Sequence, residues 1–113
     1  IVVSTPTGST AYSLSAGGPV VDPMCRCLIL SPLAPHNLTM RPVVVPDNCT
    51  ITLRLAARGG EAFLSADNRT YTLTDGACIT LNVAQESLIL AQPHNNTFYD
   101  TLREKMMWGV DKR

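Results

Sequence analysis

The feature that most constrains this chain is the alternation of apolar and polar residues through its middle third. Ile51, Leu53 and Leu55 alternate with Thr52 and Arg54 in "TITLRLAA", Tyr71 and Leu73 share one face of "TYTLT", and Ile79, Leu81 and Val83 share one face of "CITLNVA". A period of two is the mark of a strand buried on one side. Arg58-Gly59-Gly60-Glu61 reads as a turn, and Asp75-Gly76 as a hairpin signal leading into "CITLNVA". The short runs "CLILSP", "PVVVP", "AFLSAD" and "SLILAQP" add further strands, the last of them closing the series. Strands at about ten-residue spacing, separated by turn residues, predict an all-β sandwich.

The chain's 113 residues fit one domain. A domain of this length buries roughly two-thirds of its unfolded surface, enough for a true core. Nine basic and nine acidic residues cancel, and no run of Lys or Arg forms a basic face. A nucleic-acid backbone is therefore not an expected partner. The longest apolar runs fall far short of a membrane span. No secretory leader is read at the opening, so a cytoplasmic location is expected. The four cysteines, Cys25, Cys27, Cys49 and Cys78, have no zinc spacing and are expected as buried, reduced thiols. The Asn-x-Thr triplets at Asn37, Asn48, Asn68 and Asn95 are read as turn chemistry. No metal site is expected.

Two segments break the β pattern. In "NTFYDTLREKMMW", Phe98, Leu102 and Met106 recur every four residues and Tyr99 extends the face. Asn96 or Thr97 can cap this segment, Asp100 falls in its first turn, and Gly109 follows its last apolar residue. It is expected as an amphipathic helix from Asn96 to Trp108. The other segment is the opening stretch "STPTGSTAYSLSAGGP", sixteen residues with no charge and almost no bulk. After the strand fragment Ile1-Val2-Val3, Pro6 and Gly8 punctuate the chain. A short helix over "STAYSLSA" is then expected, capped by Thr7 or Ser9 and stopped by Gly17-Gly18-Pro19.

Charge-based chemistry does not fit this stretch. A phosphate-binding P-loop needs a Lys after its last Gly, and a hydrolase elbow needs Gly-x-Ser-x-Gly, where Ser13 stands in place of the first Gly. His36 and His94 lie in Pro-flanked loops and are read as loop histidines. Two readings remain open: a tightly packed turn with helix caps, or a neutral ligand cradle. In the second, small residues let a ligand approach the backbone, Tyr12 offers one flat face, and Ser13 and Ser15 add hydroxyls.

The stretch also resembles the signature of the NAD kinase family, ATP-dependent enzymes that phosphorylate the 2′-hydroxyl of the adenosine ribose of NAD. "SPLAPHNLTMRPVVVP", "LSADNR" and "TLREKMMWGVDKR" resemble further family segments, so that the resemblance covers essentially the whole chain. It implies a mainly β fold: a multi-stranded β-sandwich with a short helix after the first strand and a C-terminal amphipathic helix. It also implies that residues 1–113 are the C-terminal NAD-binding domain of a longer enzyme. The family's Gly-Gly-Asp-Gly motif and its Asn-Glu pair, assigned to an N-terminal α/β domain, are not found here. Gly17-Gly18 is followed by Pro19, and Gly59-Gly60 by Glu61. A start within a strand, at Ile1, fits a piece of a longer chain.

By this resemblance Thr7, Thr10, Ala11, Tyr12, Ser13, Leu14 and Ser15 line the dinucleotide site. Tyr12 lies on the nicotinamide side, and Thr10 and Ala11 on the adenine side. Asp67, Asn68 and Arg69 come from a second loop, with Asp67 as a binding acid or as a turn residue capping its own loop. No catalytic residue is expected in this chain, which by itself should be inactive. NAD is the implied substrate, with ATP and Mg²⁺ used by the full-length enzyme. NAD or NADP and further copies of the chain, as dimer or tetramer, are the implied partners, with no nucleic acid and no membrane. The alternatives are a non-catalytic β-sandwich binding or oligomerisation module and a domain of a related lipid kinase.

Overall fold

The structure is a computed structural model that describes residues 1–33, 36–92 and 95–109. It divides into two compact units, one comprising Ile1–Asp47 with Ala84–Arg113 and the other Asn48–Val83. The mainly β class expected from the alternation is what the chain adopts.

In the first unit, β1 (Val2–Ser4), β2 (Cys27–Ser31) and β3 (Val43–Pro46) form an antiparallel sheet in the order β1-β2-β3. Val3 pairs with Leu30, and Ile29 lies between Ser4 and Val44. As the central strand, β2 is covered on both faces, and Leu28 and Ile29 are core residues. Pro42 and Pro46 bracket the valines of β3, an edge strand. Proline cannot donate to a ladder and is suited to such an edge. Between β1 and β2 run a 3-10 turn (Thr7–Thr10) and a one-turn helix, α1 (Tyr12–Ser15).

The second unit is a nested hairpin. β4 (Ile51–Arg54) pairs with β7 (Cys78–Leu81), enclosing the pair β5 (Glu61–Ala66) and β6 (Arg69–Thr74). The expectation that Asp75-Gly76 turns one strand onto its partner is corrected, because β6 and β7 do not pair with each other. Asp75 instead accepts the Ala57 N–H at 2.8 Å, and the Gly76 N–H donates to the Leu55 carbonyl at 2.9 Å. Residues 55–60 thus bulge against residues 75–77, with Arg58 and Gly59 at φ 27° and 77°. The tight reversal lies at Asp67-Asn68, with φ of 51° and 61°. Ala66 and Arg69 pair across it. Two left-handed central residues are what a type I′ turn requires, and Asn and Asp tolerate them best after Gly.

A second correction concerns "SLILAQP". Residues 87–92 form no strand, and Leu88 and Ile89 are 86% and 91% exposed. A short apolar run carries no period, so its composition alone does not select a pairing partner. Pro93, at the end of that run, lies outside the described residues, as do His94 and the tail from Val110. The cysteines differ from expectation too: Cys25 and Cys78 are exposed, Cys27 and Cys49 half-buried, all with free thiols. Cys25 sits in the turn that the Cys25 N–H closes on the Asp22 carbonyl at 2.9 Å, outside the strand that buries Leu28 and Ile29. Cys78 is on the polar face of its strand, alternating with Ile79 and Leu81. Partial burial, aided by nearby Cys25 and Asp47, raises the Cys27 thiol above its ordinary value.

The C-terminal helix α2 (Phe98–Met106) matches the expected period, with Leu102 buried and Phe98 and Met106 half-buried. Thr97 caps it: its hydroxyl oxygen accepts the Asp100 N–H at 3.2 Å, and the Asp100 carboxylate accepts the Thr97 N–H at 3.1 Å. This is a reciprocal capping box. The helix ends earlier than Gly109 suggests. Met107 takes the left-handed position at φ 55°, and the Trp108 N–H donates back to the Arg103 carbonyl at 3.1 Å. Left-handed geometry costs an L-residue with a Cβ roughly 1–2 kcal/mol. Met107→Gly should therefore stabilise the protein by about 1 kcal/mol, read as a raised urea midpoint at constant slope. An unchanged or lowered midpoint would contradict this account of the helix end.

Candidate functional site

The opening stretch folds as two short turns set against β2. Pro6 enters the 3-10 turn, where the Ser9 N–H donates to the Pro6 carbonyl at 3.0 Å. The Thr5 hydroxyl oxygen accepts the Gly8 N–H at 3.2 Å. Ala11 then separates this turn from α1. Neither Thr7 nor Ser9 caps a helix, which corrects that expectation. Ser9 is directed inward: its hydroxyl oxygen accepts the Val21 N–H at 3.0 Å and its hydroxyl donates to the Val21 carbonyl at 3.4 Å. Both main-chain groups of Val21 are thereby satisfied by one buried side chain. Gly17, at φ 87°, ends α1 as expected.

A second inward hydroxyl holds α1. Ser13 and Ser31 are 1% and 0% exposed, with their hydroxyl oxygens 3.2 Å apart. The Gly18 N–H donates to the Ser13 carbonyl at 2.8 Å. A Cβ on Gly18 would fall 2.7 Å from the Ser31 hydroxyl and 2.8 Å from the Ser13 carbonyl, distances that side chains do not occupy. The chain after α1 can pass this point only as glycine.

With Ser9 and Ser13 turned in, the residues between them turn out. Thr7, Ala11 and Ser15 are exposed, Thr10 and Leu14 half-buried, and the Tyr12 ring is 63% exposed. Thr7, Thr10, Ala11, Tyr12, Leu14 and Ser15 are thus all at least partly open to solvent in the first unit, while Ser13 is buried. Asp67, Asn68 and Arg69 belong to the second unit, where Asp67 and Asn68 are the hairpin turn and Arg69 opens β6, all three exposed. His36 is an exposed loop residue. Among the described residues, no three His, Cys, Asp or Glu side chains stand together to hold a metal ion.

Two elements of this region escaped sequence reasoning. Ser31 closes an apolar strand and shares a face with Ile29, so a hydroxyl at a period-two core position was the available signal. Asp22 gave no signal, because its partner is 77 residues away. The Tyr99 hydroxyl donates to the Asp22 carboxylate at 2.6 Å, tying α2 to the segment that follows the opening stretch. The other Asp22 oxygen accepts the Met24 N–H at 2.8 Å.

The chain matches the ATP-NAD kinase C-terminal domain family over residues 1–91. Over all 113 residues it is 44% identical to an NAD kinase of Christiangramia forsetii and 46% identical to one of Porphyromonas gingivalis. It spans 38% and 39% of those two proteins. A crystal structure of yeast NADH kinase in complex with NADH superposes at a TM-score of 0.74 with 25% identity, over 98% of this chain and 36% of that one. The fold is thus that of a nucleotide-kinase domain. The chain belongs to the ATP-NAD kinase C-terminal domain family.

The Asp22–Tyr99 contact sets a pH window. The hydrogen bond from Tyr99, with a smaller part from the Met24 N–H, holds the Asp22 carboxyl below its ordinary value. The same bond, together with the carboxylate charge, raises the Tyr99 phenol. A lowered carboxyl stabilises the fold above its unfolded value of about 4, and that contribution is lost as pH falls through the lowered value. A raised phenol contributes fully below about 10 and loses its contribution as pH rises through the raised value. Tyr99 should therefore titrate above its ordinary range, as followed by the NMR shift of its ring carbon. Asp22→Ala should return it to that range. An identical Tyr99 titration in wild type and variant would remove the contact from the account.

Proposed function

We propose that the full-length protein is an NAD kinase, transferring a phosphoryl group from ATP to the 2′-hydroxyl of the adenosine ribose of NAD to give NADP. This chain is its C-terminal NAD-binding domain, residues 1–113. One observation carries the reading: 40–46% identity to proteins named NAD kinase along the whole chain. The similarity to a kinase solved with NADH supports a dinucleotide as ligand. A cytoplasmic homo-oligomer is part of the same reading, and the exposed valines of β3 favour an assembled form.

In this reading the exposed surface from Thr7 to Ser15 meets the dinucleotide, with Tyr12 against the nicotinamide half. An aromatic contact of this kind contributes about 0.5–1.5 kcal/mol beyond burial. The surface carries no formal charge, which suits a domain that supplies shape and hydroxyl groups to a ligand already bearing a pyrophosphate. Asp67, Asn68 and Arg69 are exposed at the type I′ turn of the second unit, open to a ligand there. Phosphoryl transfer depends on positioning and on cations that neutralise the transferred group. No residue of this chain is assigned as the base at the ribose hydroxyl.

Two outcomes follow. The isolated 113-residue chain should form no NADP from NAD with ATP and Mg²⁺, and NADP formed by it would overturn the division of labour. In the full-length protein, Tyr12→Ala should raise the KM for NAD about two- to tenfold, the equivalent of the aromatic contact. The KM for ATP should stay within about twofold. An unchanged KM for NAD would overturn the placement of the dinucleotide.

A further inference from the structure

We infer that Ser31 and Gly18 are positioning residues for the ligand surface: a buried clamp on β2 and the following turn fixes the rotation of α1 and so aims Tyr12. The inference rests on the proposed dinucleotide site and adds to it two residues that touch no ligand.

A four-residue helix has no stability of its own, because nucleation fixes several residues for a single hydrogen bond. No side chain caps α1 at its N-terminus. Its orientation must therefore come from tertiary contacts. Ser13 follows Tyr12 directly, and about 100° of helical rotation separates adjacent residues. Fixing Ser13 inward therefore fixes the direction in which Tyr12, 63% exposed, projects. Among the described residues the Ser13 hydroxyl bonds to that of Ser31, and both residues are buried. Ser31 lies on the central strand of its sheet, paired with Val2, and so provides a rigid anchor.

Gly18 closes the clamp from the other side. Its N–H holds the Ser13 carbonyl, and its lack of a Cβ lets the chain pass against both hydroxyls. A methyl group there must push Ser13 and Ser31 apart, rotating or lifting α1. Ser31→Ala acts more gently: it leaves the Ser13 hydroxyl buried without its partner and frees α1 to turn.

The test uses the full-length protein and reads the dissociation constant for NAD alongside the KM values for NAD and ATP. Ser31→Ala and Gly18→Ala should each weaken NAD binding about two- to tenfold, no more than Tyr12→Ala does. The KM for ATP should move little for Ser31→Ala. The decisive comparison is in a Tyr12→Ala background. If Ser31 acts through Tyr12, adding Ser31→Ala there should cost NAD binding less than about twofold more. An equal loss in both backgrounds would show general destabilisation and overturn the inference. So would unchanged NAD binding in Ser31→Ala while Tyr12→Ala weakens it. If Tyr12→Ala itself leaves NAD binding unchanged, the dinucleotide site is misplaced, and the inference falls with it. Should Gly18→Ala fail to fold, Ser13→Ala replaces it, removing the other half of the same hydrogen bond with the same expected loss.

Discussion

The hydrogen bond between Ser13 and Ser31 is the contact on which the opening stretch depends. A net contribution of about 0.5–1.5 kcal/mol is ordinary for a neutral pair. Its importance lies in position. Residues 4–19 contain no large apolar side chain except Tyr12 and Leu14, so hydrophobic burial cannot hold them in one conformation. Two inward hydroxyls take over that task. Ser9 satisfies both main-chain groups of Val21, and Ser13 engages the central strand. Each removes polar atoms from water with partners present, and among the described residues no buried side-chain polar atom is left unpaired. The outward residues are then free to form a surface.

The second unit follows a different logic. Its long hairpin is specified by alternation and by two backbone irregularities: the left-handed Asp67-Asn68 turn and the bulge at Arg58-Gly59. The bulge changes the register between the outer and inner strand pairs, so that Leu53 faces Ile79 and Leu64 faces Tyr71 on either side of it. No residue of this unit is fully buried, in keeping with a two-stranded ribbon.

Period-two segments were legible in the sequence because burial on one face writes itself directly into residue order. Six of the seven expected strands after the opening fragment are present, and the C-terminal helix announced itself through Phe98, Leu102 and Met106. The errors have physical causes. Asp75-Gly76 has hairpin composition, but a bulge uses the same residues, and only pairing decides between them. "SLILAQP" has strand composition but no period. Met107 gave no sign of a helix end, because its left-handed backbone is enforced by the bond from Trp108 to Arg103. For the candidate site, family resemblance marked the residues from Thr7 to Ser15, but residue type alone did not separate those turned out from those turned in. Ser13 and Ser15 look equivalent in the sequence, yet one is buried and the other exposed.

The central claim is that the surface between Thr7 and Ser15 receives the dinucleotide while Ser13 remains beneath it. Amide NMR shifts of selectively labelled full-length protein, followed during titration with NAD in the absence of ATP, test it most directly. The account predicts saturable shifts concentrated at residues 7–15, largest around Tyr12, with the Ser13 hydroxyl remaining protected from exchange with water. Saturable shifts confined to other parts of the chain, or a Ser13 hydroxyl that loses its protection when NAD binds, would contradict it.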